Sequence, residues 1–189
     1  MAVNTSNVAA GKPTIGGAIS VAAKGTTLPT DAVTALSSAF KGLGYVSEDG
    51  LTNQNTASVE EIKAWGGDVV LTPSTEKTDY FIFTLIEILN VDVLKFVYGA
   101  NAVTGDLTTG ITLAASSQEA DENVLVIDMV LNGALKRIVL PKAKVNSIDD
   151  IVYQDGSPVG YPCTVTALPD ENGITHYEYI INDPSGPSF

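Results

Sequence analysis

The sequence predicts a mostly β protein, a sandwich or barrel of two packed sheets with one flanking α-helix. Short apolar segments recur along the 189 residues, turn residues separate them, and only one segment has a complete helix signature. The turn signals include Gly66-Gly67 and Asn132-Gly133. Pairs of this kind favour two-residue hairpin turns, so many of the strands should be antiparallel neighbours.

The helix is predicted at about residues 90–98. Asn90 is a suitable N-cap, and Gly99 can take the left-handed conformation that ends a helix. The apolar stripe that would face a sheet consists of Val93, Phe96 and Val97. A second, shorter helix is predicted at about 31–40, where Thr30 or Asp31 can cap the first turn.

The strands are predicted from alternating or continuous apolar runs. They fall at 58–65, 68–72, 78–87, 111–115, 123–131, 134–140, 144–153, 160–168 and 174–181. In the 78–87 run, Phe81, Phe83 and Leu85 point to one face while the opposite face is also apolar. Both faces should therefore be covered, one of them by a helix or another subunit.

Three regions follow from composition. Residues 1–30 are rich in Ala, Gly, Ser and Thr and are predicted to be an extended N-terminal arm. Residues 31–180 are the β-sandwich domain, with a polar, exposed loop at about 46–58. Residues 181–189, which contain two prolines and a glycine, are a C-terminal tail.

The charge is strongly acidic and unevenly distributed. The net charge is −12 and the pI is about 4.2, so binding to nucleic acid or an anionic membrane through overall charge is excluded. Residues 1–30 contain two lysines and no acid, whereas residues 145–189 contain seven acids and no Lys or Arg. This asymmetry indicates either a solvated acidic surface or head-to-tail contacts between copies of the chain.

The sequence shows no catalytic, cofactor-binding or metal-binding motif. One cysteine (Cys163) and one histidine (His176) can form neither an intrachain disulfide nor a Cys/His zinc site. The apolar runs are too short to span a membrane, and the N-terminus lacks the basic region of a signal peptide. We therefore expect a soluble protein, made without export, that is not an enzyme.

Six segments of the chain form a distinctive series. They are GLGYVSEDGL (42–51), EEIKAWGGDVV (60–70), FIFTLIEILNVDVLKFVYG (81–99), VIDMVLNGALKRIVLPKAKV (126–145), GYPCTVTALPD (160–170) and THYEYI (175–180). Over about residues 28–180, this series resembles the major tail protein of long-tailed, siphovirus-type bacteriophages. The most specific pieces lie at 44–50, 63–68 and 166–170.

The resemblance implies a tail tube subunit. Such proteins are two-sheet sandwiches with a flanking helix, and they form hexameric rings that stack into a conduit for DNA ejection into the host. The implied partners are other copies of the chain, the tape measure protein, the tail terminator and the distal tail protein, with no cofactor and no membrane anchor. The implied location is the virion tail, assembled in the host cytoplasm, through which phage DNA passes without specific binding.

Two sets of candidate residues follow from this implied role. The candidates for subunit contacts, taken from the arm, the polar loop and the tail, are Lys12, Lys24, Leu51, Asn53, Asn55 and Phe189. An acidic lumen would repel DNA and keep it moving. The candidate lumen acids are Glu60, Asp68, Asp79, Glu87 and Asp128.

Two alternatives remain open from the sequence. One is another β-rich virion component, such as a tail terminator or a head-decoration protein. The other is a glycan-binding or hydrolytic β-sandwich, in which Trp65 would lie in a sugar-binding cleft. Long tubes, single rings or unassembled particles would distinguish the three.

Overall fold

The computed structural model describes residues 3–14, 16–116 and 119–183. This part of the chain is mostly β, with 46% of the described residues in strands and 7% in helix, and it forms a two-sheet arrangement with one helix and no closed barrel. The predicted fold class is confirmed in its sandwich form.

The described residues form thirteen strands and one α-helix. The helix, α1, is Val91–Tyr98. The strands are β1 Gly11–Pro13, β2 Ile19–Ala23, β3 Lys41–Gly42, β4 Val46–Val59, β5 Ile62–Lys63, β6 Val69–Leu71, β7 Ser74–Leu85, β8 Val103–Thr104, β9 Thr112–Leu113, β10 Asn123–Leu131, β11 Ala134–Ile148, β12 Tyr161–Leu168 and β13 Tyr177–Asn182. Short 3-10 turns lie at Thr5–Asn7 and Ala100–Ala102.

Strand β11 organises the sheets because it is shared between two sets of neighbours. On one side it pairs with β10 in the hairpin around Asn132-Gly133, the strongest turn signal in the sequence. On its other side β13 pairs with 134–139 and β12 pairs with 142–148. The hydrogen-bonded strand order is β3-β2-β10-β11-β12-β7-β4, and β1 also pairs with β10. Each described strand in this order is antiparallel to the strands beside it.

The core lies between the strands and α1. Helix and strands contribute to one cluster of buried apolar side chains, in which Phe96 stacks on Phe83 with ring centroids 6.5 Å apart. The helix begins at the predicted cap, because Asn90 Oδ1 accepts the N–H of Asp92. It ends at the predicted glycine, whose N–H donates to Lys95 O, but Gly99 has φ 96° and ψ 146° and is not in the left-handed helical conformation. The alternation in β7 is also confirmed, since Phe81, Phe83 and Leu85 are buried.

The predicted helix at 31–40 is wrong. Asp31 does behave as an N-cap, because its carboxylate accepts the N–H groups of Val33 and Thr34 at 2.7 and 2.5 Å. The helix does not continue because the guanidinium of Arg137 donates to the backbone carbonyls of Asp31 and Thr34 at 3.0 and 2.8 Å. In a helix those carbonyls would accept the N–H groups four residues later.

The predicted loop at 46–58 is also wrong, since this segment is the long strand β4. Its polar side chains are exposed, as predicted, but its backbone pairs with β7 from Thr52 to Ser58 without a break in register. The strand was missed because both of its faces are polar beyond Leu51, so the period-two apolar pattern is absent.

Other boundaries differ in detail. Of the predicted strand 58–65, residues 58–59 end β4 and Ile62–Lys63 form β5. The predicted strands 134–140 and 144–153 are joined in β11, which ends at Ile148, so 149–153 are not a strand. Within the predicted arm 1–30, residues 19–23 form β2, which pairs with β10 and buries Ile19 and Ala22. The arm is therefore partly built into the sheet.

Candidate subunit contact surfaces

The most prominent surface feature is a long hairpin formed by β4 and β7. The pairing runs from Leu51↔Phe83 to Val59↔Ser74, and β5 and β6 extend the ribbon to the turn at Gly66-Gly67. Residues 52–72 are exposed throughout. We call residues 60–73 the hairpin tip; it carries no core residue of its own.

The hairpin tip is unusually apolar for an exposed element. The Trp65 side chain is fully exposed, at 106% of its reference area. Other exposed apolar side chains of this region are Val59, Ile62, Val69, Val70 and Leu71. Exposed apolar side chains grouped on one short element are typical of interaction sites, so the hairpin tip is a candidate contact surface.

A buried carboxylate anchors the base of the hairpin. Asp79 is 1% exposed and accepts hydrogen bonds from Asn53 Nδ2 at 2.8 Å and Thr175 Oγ1 at 2.8 Å. His176 Nδ1 lies 2.6 Å from Asp79 Oδ2 and donates to it, since an ionised carboxylate only accepts. Burial alone would raise the pKa of Asp79, but the hydrogen bonds from Asn53, Thr175 and His176 lower it below its ordinary value. The network joins β4, β7 and the segment before β13.

A second carboxylate fixes the segment that enters β4. Glu87 Oε1 accepts the N–H of Tyr45 at 3.1 Å, and Glu87 Oε2 accepts from Asn90 Nδ2 at 3.2 Å. Gly44 has φ +72°, and a Cβ at this position would overlap the Glu87 carboxyl group. The positive φ therefore favours glycine, and a larger residue would also displace the Glu87 carboxyl group from its hydrogen bonds.

Arg137 joins three parts of the chain at one point. Its side chain is nearly buried and forms a bidentate ion pair with Asp128, with Nε–Oδ1 2.7 Å and Nη2–Oδ2 3.0 Å. The same guanidinium binds the two carbonyls in the 31–34 turn. It therefore fastens that turn to the β10–β11 hairpin.

The structure separates the predicted lumen acids into two groups. Glu60 and Asp68 are exposed on the hairpin tip. Asp79, Glu87 and Asp128 are held in the intramolecular contacts described above. The carboxylate of Asp79 is withdrawn from solvent.

The predicted contact residues are also dispersed. Lys12 is exposed on β1, whereas Lys24 Nζ forms an ion pair with Glu122 at 2.6 Å within the subunit. Leu51 is half-buried and packs against the core. Asn53 holds Asp79 and Asn55 is exposed one pleat further along β4. Phe189 lies outside the described residues.

The cysteine and the histidine have separate partners: the Cys163 thiol donates to Tyr161 O, and His176 binds Asp79. Cys163 is buried on β12, and burial raises the pKa of its thiol to about 12, opposite to the change that activates a nucleophile. Over residues 3–14, 16–116 and 119–183, no group of three His, Cys, Asp or Glu side chains is arranged to hold a metal ion. No helix in this part of the chain is long and apolar enough to cross a membrane.

These features define a β-sandwich protein with a long, exposed β-hairpin. The family model for phage tail tube protein matches residues 1–188, so the chain belongs to the phage tail tube protein family. This membership implies assembly into a multimeric tube in the tail of a virion. No curated protein matches the chain.

Proposed function

We propose that this protein is the tube subunit of a siphovirus-type tail, in which hexameric rings stack into a conduit for DNA. The observation that carries the proposal is the β4–β7 hairpin, because β4 is both the last strand of the sheet and its second longest strand. A long exposed edge strand presents unpaired backbone groups and invites pairing with another chain. In a ring, the neighbouring subunit covers this edge.

In the proposed ring, the sheets of neighbouring subunits join at the exposed edge strand β4. Each subunit adds the four-stranded portion β11-β12-β7-β4 to a sheet that continues around the ring. A closed ring of this type leaves no free edge, which is the general solution to the edge-strand problem. Six copies close the ring.

The hairpin, the N-terminal arm (1–30) and the C-terminal tail (181–189) make the contacts between rings in this proposal. The hairpin supplies Leu51, Asn53 and Asn55, and the terminal segments supply Lys12, Lys24 and Phe189. Three of these residues also make contacts within their own subunit that hold the segments in place: Leu51 with the core, Asn53 with Asp79, and Lys24 with Glu122.

The lumen in this proposal is acidic overall, which prevents DNA from binding to it. The net charge of −12 per subunit favours this, since DNA binds through the neutralisation of its phosphates by Lys and Arg. Glu60 and Asp68 are the best placed of the candidate acids because they are exposed. Asp79, Glu87 and Asp128 support the lumen indirectly, by fixing the strands around it.

The remaining partners in the proposal are those of a tail. The tape measure protein occupies the tube, and the tail terminator and distal tail protein bind its two ends. Assembly takes place in the host cytoplasm, and DNA passes through to the host on ejection. The subunit performs no chemical step.

Native mass spectrometry of the assembled protein tests the ring stoichiometry. The chain has a mass of 19.7 kDa, and the proposal predicts dissociation products at six subunits and multiples of six. A series based on another number of subunits would refute the hexamer while leaving family membership intact. A single species of six subunits that never stacks would favour a ring-forming terminator.

A further inference from the structure

An apolar groove lies at the base of the hairpin, where β4 meets the N-terminal strands. It has a volume of about 390 Å³. Its floor and walls include Pro13, Ala18, Ile19, Leu51, Ile127 and Met129. Lys12 and Glu48 also line it. The volume is within the range of about 300–1,000 Å³ that is typical of ligand sites, and such sites are mostly apolar with a few polar groups.

We propose that this groove receives the hairpin tip of another copy of the chain, with Trp65 as the side chain that fills it. The proposal deepens the proposed function and rests on it, because it names the surface to which the hairpin binds. The tip and the groove are the two apolar surfaces described above, one convex and one concave.

The occupant is the tip of another subunit because a subunit's own tip is out of reach. Leu51 lines the groove, and the ribbon runs in continuous register from Leu51 to Ser58 before the tip begins. At a rise of about 3.3 Å per residue, the eight steps from Leu51 to Val59 alone span about 26 Å. The tip therefore lies away from the groove of its own subunit.

Trp65 is suited to the role of an anchor. Its indole is large and rigid and loses its whole exposed surface if it enters the groove. Tryptophan is enriched among the few residues that carry most of the binding energy in interfaces. The neighbouring exposed side chains of Val69, Val70 and Leu71 extend the apolar contact along the tip.

One charged group of the groove complements the tip. The tip carries three acids, Glu60, Glu61 and Asp68, and one lysine, Lys63. The groove presents one exposed cation, Lys12, and one exposed acid, Glu48, so the acids of the tip approach on the Lys12 side. Attraction between Lys12 and the acids of the tip orients the approach, and salt screens it over about 8 Å at physiological ionic strength.

The geometry also explains why assembly can continue without limit. The donor surface and the acceptor surface lie on different parts of the subunit, so the contact is heterologous. A heterologous contact that does not close on itself generates a filament, because each added subunit exposes a new acceptor. Docking of tip into groove thus gives the stacking direction of a tube.

Photocrosslinking tests the proposal directly. Trp65 is replaced by the photoreactive aromatic residue p-benzoylphenylalanine, the full chain is assembled and irradiated, and crosslinked peptides are identified by mass spectrometry. The expected products join residue 65 to peptides from 11–19, 44–51 or 127–129 of another subunit. Crosslinks confined to other segments, or assembled protein without crosslinks to these segments, would overturn the proposal.

Two substitutions provide an independent measurement. Trp65→Ala should raise the critical concentration for assembly at least about 25-fold, which corresponds to the loss of about 2 kcal/mol from one anchor residue. Tyr153→Ala is the matched control, since Tyr153 is also an exposed aromatic residue but lies outside the tip and groove. Equal effects of the two substitutions would refute the assignment of Trp65.

The outcomes separate this inference from the proposed function. If the protein assembles and residue 65 crosslinks elsewhere, the tube subunit proposal stands and the docking site is wrong. If the unmodified protein does not assemble at any concentration, both fail. Circular dichroism of each variant shows whether a loss of assembly follows from a loss of folding.

Discussion

Removal of the Asp79 carboxylate should destabilise the subunit strongly, because three donors lose their common acceptor. Asn53, Thr175 and His176 donate to it at 2.8, 2.8 and 2.6 Å. A hydrogen bond to a charged group contributes about 1.5–3 kcal/mol to stability. The bond from Asn53 should contribute least, because Asn53 is exposed and its amide can bond to water when the carboxylate is removed. We therefore expect Asp79→Ala to cost about 3–5 kcal/mol, as for loss of one partner of a buried pair.

Urea unfolding of the purified subunit at pH 7 measures this cost. In thermal unfolding of a domain of this size, a loss of about 3–5 kcal/mol in the free energy of unfolding corresponds to a decrease of about 6–20 °C in Tm. Asp150→Ala is a suitable control, since Asp150 is exposed outside any strand or helix and should change stability by at most about 0.5 kcal/mol. An Asp79→Ala variant with the unfolding midpoint of the parent would refute the anchoring role.

The pH dependence gives a second test of the same network. The pKa of Asp79 is lowered in the folded state from its ordinary value of 3.8. Its contribution is therefore present above about pH 4 and is lost as the pH falls through the lower, folded-state pKa. The difference in stability between the parent and Asp79→Asn should be largest near pH 7 and shrink in this acidic range. A difference that stays constant from pH 7 to pH 2 would contradict the assignment.

Three further predictions concern other contacts. Gly44→Ala should destabilise the subunit by about 2 kcal/mol in urea, because φ is +72° and the new methyl group meets Glu87; an unchanged midpoint would contradict this. Arg137→Met should lower the free energy of unfolding by about 3–5 kcal/mol and speed amide exchange at 31–34, because Asp128 and two backbone carbonyls lose their partner. Unaltered exchange at 31–34 would show that Arg137 does not hold this turn. Replacing residues 60–73 by Asn-Gly, which joins the paired ends of β4 and β7, should leave a folded subunit that does not form tubes; normal tubes would remove the tip from assembly.

Much of the fold was predictable because its signals are local. The helix has a cap at each end and one apolar face, and β10 and β12 carry continuous or alternating apolar residues. Strand β4 was not predictable from pattern because its stability comes from backbone pairing with β7 and not from a buried face of its own. The false helix at 31–40 has a real cap signal, which a distant arginine overrides.

Two features of the site can be predicted from sequence patterns, the pairing of Asp128 with Arg137 and the burial of Asp79. Counting outward from the Asn132-Gly133 turn pairs Leu131 with Ala134 and, three steps further, Asp128 with Arg137. Asp79 shares the parity of Phe81 and Phe83 in β7, which places it on the buried face. The groove could not be predicted, because its lining comes from four separate segments that only the folded sheet brings together.

Electron microscopy of the purified full-length protein tests the central claim most directly. A tube subunit whose contacts are heterologous should form long tubes of stacked rings, and raising the protein concentration should lengthen them. The tubes should show sixfold symmetry in end-on views and an open central channel. Particles that remain monomeric, or rings that never stack under any of the conditions tried, would contradict the account.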